Sequence, residues 1–119
     1  IAEDARFDAK LSGLATPTPP AMQDGPAGYP KWLFYYYCSH LRSVPNPSFI
    51  VDTTTTHEKK IRSVLAYKSQ FVDNEKNRGV VDWLGAEDRF MGSRIGTRAG
   101  EAFWTREPVG LGSLAGLLQ

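Results

Sequence analysis

The sequence predicts an α/β fold with mostly parallel strands and two to three helices. The first observation behind this is an unbroken apolar and aromatic run, WLFYYYC at residues 32–38. It lacks alternation, as a central parallel strand covered on both faces does. A second short run, FIV at residues 49–51, is entered through Pro45 and Pro47 and ended by Asp52. The third observation is that apolar residues recur at helical spacing in the two long stretches that follow.

Taken in order, residues 2–14 read as a charged helix, with Ala5, Phe7, Ala9, Leu11 and Leu14 as its smaller and apolar positions. Residues 15–30, ATPTPPAMQDGPAGYP, form a Pro- and Gly-rich loop, because proline fixes φ and breaks helical hydrogen bonding. A loop of this length inside a compact domain is a candidate lid or oligomer contact, or else a plain surface excursion. After the two strands, four threonines open a second helix, where Thr55 and Glu58 have the spacing of a capping box. That helix runs to about Phe71, with Ile61, Val64, Leu65 and Phe71 on one stripe. A third runs from about Arg78 to Arg94, with Val80, Leu84, Met91 and Ile95 on one side and Trp83 and Phe90 adjacent. Gly96 and Gly100 punctuate its end. AFWT is a short terminal strand, and residues 108–119 are an apolar tail.

The chain has 119 residues, read as a single domain, and 14 basic against 13 acidic side chains, a net charge of +1. No basic block accompanies that balance, which argues against a nucleic-acid or anionic-membrane partner. No apolar run approaches the length of a membrane span. The single cysteine, Cys38, excludes an intrachain disulfide and is compatible with a cytoplasmic setting. No GxGxxG follows a strand, so a nucleotide-binding domain is a poor reading.

Four strings occur in order at natural spacings: EDARFDAKL, then FIVD, then AYKSQF, then GTRAGEAFWTREPVGL, with KWLFYY between the first two. Together they resemble the second half of the LmbE-like (PIG-L) N-deacetylases. The resemblance runs from Glu3 to about Leu111. It implies a partial Rossmann-like three-layer sandwich and a zinc-dependent hydrolase that removes acetyl groups from N-acetylglucosamine-type sugars. It also implies a homo-oligomer. The family's metal ligands lie in a His-Pro-Asp-Asp motif and a His-Pro-Asp-His motif, both expected upstream, in a missing N-terminal half. The isolated chain is therefore expected to bind no metal and to be inactive.

Within this chain His40 is the candidate catalytic residue. It lies just past the presumed central strand, where ligands gather in open α/β sheets, and could hold a sugar hydroxyl or an oxyanion. The alternative is a solvated loop histidine. Tyr37, His40 and Arg42 are the candidate substrate-binding residues. Arg42 is otherwise a surface salt-bridge partner. Some family members carry a tyrosine before the final helix where this chain has Val80, and an arginine is common before the central strand where it has Tyr29. Asp52, Arg98 and Glu101 are read as structural: Asp52 as a cap of the helix start, Arg98 with Glu101 as a buried ion pair. Glu58 with Arg62 is a solvated i,i+4 pair, and His57 is a polar first-turn residue. Trp83, Phe90, Phe103 and Trp104 are core or interface. The alternative function is a non-catalytic assembly unit pairing through the exposed faces of its helices.

Overall fold

The computed structural model describes residues 1–9, 30–38 and 44–115, which fall into two compact units, Ile1–Leu33 and Phe34–Gln119. In the first, helix α1 spans Ala2–Asp8, with Glu3 and Asp4 in its first turn, where acidic side chains complement the helix dipole. Arg6 donates from Nε to the Pro30 carbonyl at 2.9 Å and from a terminal nitrogen to the Lys31 carbonyl at 3.0 Å. The Pro- and Gly-rich loop and the remainder of the expected first helix lie outside the described residues, apart from Ala9 and Pro30.

The second unit is mixed α/β. Its strands are β1 (Tyr35–Tyr36), β2 (Phe49–Asp52) and β3 (Gly100–Trp104), and its helices are α2 (His57–Leu65), α3 (Lys68–Phe71) and α4 (Val80–Ser93). The strand order is β1-β3-β2, and both pairings are antiparallel. This corrects the expectation of parallel strands with the aromatic run at the centre. A single helix between two strands carries the chain back to give parallel pairing. Here two helical passes, α2 outward and α4 returning, separate β2 from β3, so β3 starts where β2 ends, with Gly100 opposite Asp52. The aromatic run supplies only Tyr35 and Tyr36 to the sheet, at its edge, opposite Trp104 and Phe103. The closing strand GEAFW takes the centre instead.

The ladder is extended at both ends. Ser48 N–H donates to the Phe103 carbonyl at 2.8 Å, and Thr53 N–H donates to the Ala99 carbonyl at 3.0 Å. Strand alternation then sorts the side chains. Tyr35, Ile50, Gly100, Ala102 and Trp104 share one face. Phe34, Tyr36, Phe49, Val51, Glu101 and Phe103 share the other, Glu101 directly opposite Val51.

Helix α4 packs on the first face, and glycines set the distance. A Cβ on Gly92 would lie 2.7 Å from backbone atoms of Ala99, and one on Gly100 would lie 2.8 Å from Ile50 Cγ2 and 3.0 Å from Gly92 N. The helix ends in a Schellman arrangement: Thr97 N–H donates to the Gly92 carbonyl, Gly96 N–H to the Ser93 carbonyl, and Gly96 has φ +77°. The inward positions of α4 are Val81, Leu84, Gly85, Asp88, Met91 and Gly92, a stripe at helical spacing.

Two expected boundaries shift. The second helix breaks at Ala66 and Tyr67, so α3 is a separate single turn. The capping box of Thr55 and Glu58 does not form. Thr56 is the N-cap without a side-chain cap bond, and its hydroxyl turns back to donate to the Thr53 carbonyl at 3.3 Å. Among the described residues no helix is long and apolar enough to cross a membrane.

Candidate functional site

The amphipathic stripe of α4 carries one charge inward. Asp88 is only 3% exposed, four residues after Leu84 and three before Met91. A carboxylate in that setting needs partners, and α2 and β3 supply them. His57 Nδ1, in the first turn of α2, lies 2.9 Å from Asp88 Oδ2, so that nitrogen carries the proton the carboxylate accepts. Lys60, one turn later, donates from Nζ to Asp88 Oδ1 at 2.9 Å and to Glu101 Oε1 at 3.2 Å. One ammonium thus ties α2 to α4 and to the central strand.

The cluster borders a small cavity of about 20 Å³, lined by Tyr37, Leu84, Met91 and the polar groups of Lys60, Glu87, Asp88 and Glu101. That volume holds roughly one water molecule. Burial lowers the tendency of Lys60 to stay charged, but the hydrogen bond and charge of Asp88, followed by those of Glu101, outweigh it and raise its pKa above 10.5. Burial pushes the neighbouring Glu87 above its ordinary value; Lys60 opposes the shift, and the negative charges of Asp88 and Glu101 add to it. The cluster is therefore a cation locked between carboxylates, with a protonatable carboxyl beside it. Against α2 and the β2–α2 turn lies a wider, open depression bordered by Thr53, Thr56, Lys59, Lys60, Ser63 and Glu101.

Of the candidates read from the sequence, Tyr37 lines the cavity. Its hydroxyl donates to the Pro45 carbonyl at 2.9 Å, and burial raises its pKa against the opposing charge of Arg94. His40 and Arg42 lie outside the described residues. Asp52 acts one turn earlier than a helix cap. Its Oδ1 accepts from Thr54 N–H at 2.9 Å, and the Thr54 hydrogen bonds hold the carboxyl below its ordinary value. It therefore stabilises the turn leading into α2, whose N-cap is Thr56.

Glu101 is structural, but its partner is Lys60, 3.2 Å away. Arg98 is exposed and forms no ion pair among the described residues, so the expected buried Arg98–Glu101 pair is corrected to Lys60–Glu101. The reason is local: Thr97 and Arg98 belong to the turn closing α4, whereas Glu101 lies within β3, beyond the close approach of Gly92 to Ala99.

Sequence reasoning missed the central residue, Asp88. The signal was present as a carboxylate on the apolar stripe of the last helix, an arrangement that burial allows only with a partner. Among the described residues, no three His, Cys, Asp or Glu side chains converge to hold a metal ion. The carboxylates that do converge are already compensated by Lys60. These residues do not fit a zinc site.

No family model matches the sequence. In a comparison with solved structures, the chain aligns over 92% of its length with the crystal structure of the conserved protein TT1542 from Thermus thermophilus, at 28% identity and a TM-score of 0.69. The chain spans 44% of that protein, less than half its length.

Proposed function

We propose that this chain forms the carboxy-terminal portion of an LmbE-like, zinc-dependent N-deacetylase acting on an N-acetylglucosamine-type sugar or conjugate. The observation that supports this reading is that segments next to, between and within the strings carrying the resemblance meet at one place. Tyr37, the residue after KWLFYY, Lys60, in the helix between FIVD and AYKSQF, and Glu101, within GTRAGE, come from three separate segments. All three border one small cavity around Asp88. Segments that converge in this way form one structural unit, as a shared family core requires.

In this reading the present residues build a wall and not the reactive centre. The cluster fixes α2, α4 and β3 relative to one another. Tyr37, His40 and Arg42 are the residues assigned to substrate binding in this reading. The metal ligands and the general base belong to the upstream motifs that the resemblance implies, and no proton transfer is assigned to the Lys60 cluster. The uncovered sheet face of Phe34, Tyr36, Phe49, Val51 and Phe103 is the surface on which that upstream half would pack.

The test is release of free amine from N-acetylglucosamine derivatives by the protein encoded by the whole reading frame that holds this chain. Zinc-dependent release is expected, abolished by a chelator, with kcat/KM falling at least tenfold in His40→Ala. The 119-residue chain alone is expected to release none. No amine release by the whole protein from any N-acetylated sugar, with zinc bound, would sink the proposal.

A further inference from the structure

One cation serves three carboxyl groups at the small cavity between α2, α4 and β3. Lys60, Glu87, Asp88 and Glu101 all border its volume of about 20 Å³. Lys60 Nζ is committed to Asp88 Oδ1 at 2.9 Å and to Glu101 Oε1 at 3.2 Å. Glu87, beside Asp88 on α4, is half-buried and forms no hydrogen bond or ion pair among the described residues. With every carboxyl ionised, three negative charges would face one positive charge. Among the described residues no other cationic side chain borders the cavity.

The remaining titratable groups on the elements around Glu87 are engaged elsewhere or exposed. On α2, His57 meets the other oxygen of Asp88 at 2.9 Å, and Glu58, Lys59 and Arg62 are exposed. The Tyr37 hydroxyl donates to the Pro45 carbonyl and feels the charge of Arg94. The strand β2 carries one titratable side chain, Asp52, whose carboxyl accepts from Thr54 N–H. On α4 itself, Asp82 and Arg89 are exposed.

We infer that the cavity is a pH-sensitive latch: a proton on Glu87 leaves Lys60 bound to Glu101, and loss of that proton draws the ammonium from Glu101 to Glu87. Glu101 yields because its bond is the longer one and its side chain is 38% exposed, against 4% for Asp88. Water replaces the lysine at an exposed carboxylate but not at a buried one. The tie between α2 and the central strand then opens, while Asp88 keeps α2 on α4. The direction of the Glu87 shift supports this. Burial raises its pKa, Lys60 opposes the rise, and the charges of Asp88 and Glu101 add to it. The stability due to protonated Glu87 is therefore fully present below its ordinary value of 4.5 and is lost as pH rises through the folded value. The latch uses residues of this chain alone and does not fall with the deacetylase reading.

Carbon-13 NMR titration of the side chains follows both the proton and the lysine. The Glu87 carboxyl is expected to titrate above 4.5. In Glu101→Gln one negative charge fewer faces Glu87 and the ammonium is freer to turn to it, so the Glu87 midpoint is expected to move to lower pH. The Lys60 Cε resonance is expected to shift at the Glu87 midpoint in wild type and to stay in place over that range in Glu87→Gln. In denaturant titration Glu87→Gln, a mimic of the protonated carboxyl, is expected to match wild type at or below pH 4.5. At about pH 8 it should unfold at a higher denaturant concentration than wild type. A Glu87 midpoint at or below 4.5 overturns the inference. So does a midpoint that Glu101→Gln leaves unmoved, or a Lys60 resonance that does not follow the titration of Glu87.

Discussion

At the scale of single residues, Lys60 carries the most consequence. Its ammonium is shared by Asp88 and Glu101, at 2.9 and 3.2 Å. Removing one partner of a buried ion pair costs more than the pair itself contributes, because a desolvated charge is left behind. Lys60→Met is therefore expected to lower unfolding stability by about 3 kcal/mol in denaturant titration. Adding Asp88→Leu to that variant should recover much of the loss, since no buried charge then remains. The pH dependence follows from the direction of the Lys60 shift. Its pKa is raised in the folded state, so its contribution is fully present below the ordinary value of 10.5 and is lost as pH rises through the folded value. Wild type should show a stability loss above pH 10.5 that Lys60→Met lacks. Asp88 itself was legible only as an anomaly, a charge in an apolar stripe. Its partners were not legible, because His57 and Lys60 stand 31 and 28 positions away from it, and Glu101 stands 41 positions from Lys60. Only the folded chain brings them together.

At the scale of elements, the contact of α4 with the sheet is governed by two glycines with different reasons for being there. Gly92 is needed for space: a Cβ would meet three backbone atoms of Ala99 at 2.7 Å, and backbone cannot swing aside as a side chain can. Gly96 is needed for conformation: its φ is +77°, with nothing within 4 Å of the position a Cβ would take. Gly92→Ala is expected to cost about 3 kcal/mol through overpacking. Gly96→Ala should cost only about 1 kcal/mol, the penalty of a left-handed residue with a side chain. Equal losses in thermal unfolding would remove this distinction. The last helix was read from its sequence within two residues at its start and one at its end, because its apolar period is long and its end is marked by glycine. The second helix was read too long. Its stripe of Ile61, Val64, Leu65 and Phe71 continues in period across Ala66 and Tyr67, where the chain nevertheless breaks.

At the scale of the whole molecule, the second unit has a sheet with one face covered and one open. Its buried hydrophobic residues, among those described, are Met91, Ala99 and Ala102, and none of its large side chains is fully buried. Phe49 and Phe103 stack at 5.3 Å on the open face, with Phe34 edge-on to Phe49 at 5.0 Å, while Tyr36 and Val51 beside them remain largely exposed. An apolar patch of this kind marks an interaction surface. Val51→Lys is expected to leave the thermal stability of the chain within about 0.5 kcal/mol, because the position is exposed, while raising its solubility. In a longer protein in which this face is covered, the same substitution should destabilise strongly. A large loss of stability in the chain alone would show that the face is already packed.

The sequence by itself determined the α/β composition of the second unit, the place of its last helix and the short FIVD strand. Each is encoded locally, in an apolar period, a proline entry or a glycine stop. Strand direction, strand order and the partners of Asp88 were decided only in the tertiary structure. An aromatic run reads the same at the centre of a parallel sheet as at the edge of an antiparallel one. The difference lies in how many helical passes separate the strands that pair. For the same reason Glu101 turned to Lys60 and not to Arg98: closeness in the chain placed the arginine near, but the close packing of Gly92 on Ala99 set which cation the carboxylate meets.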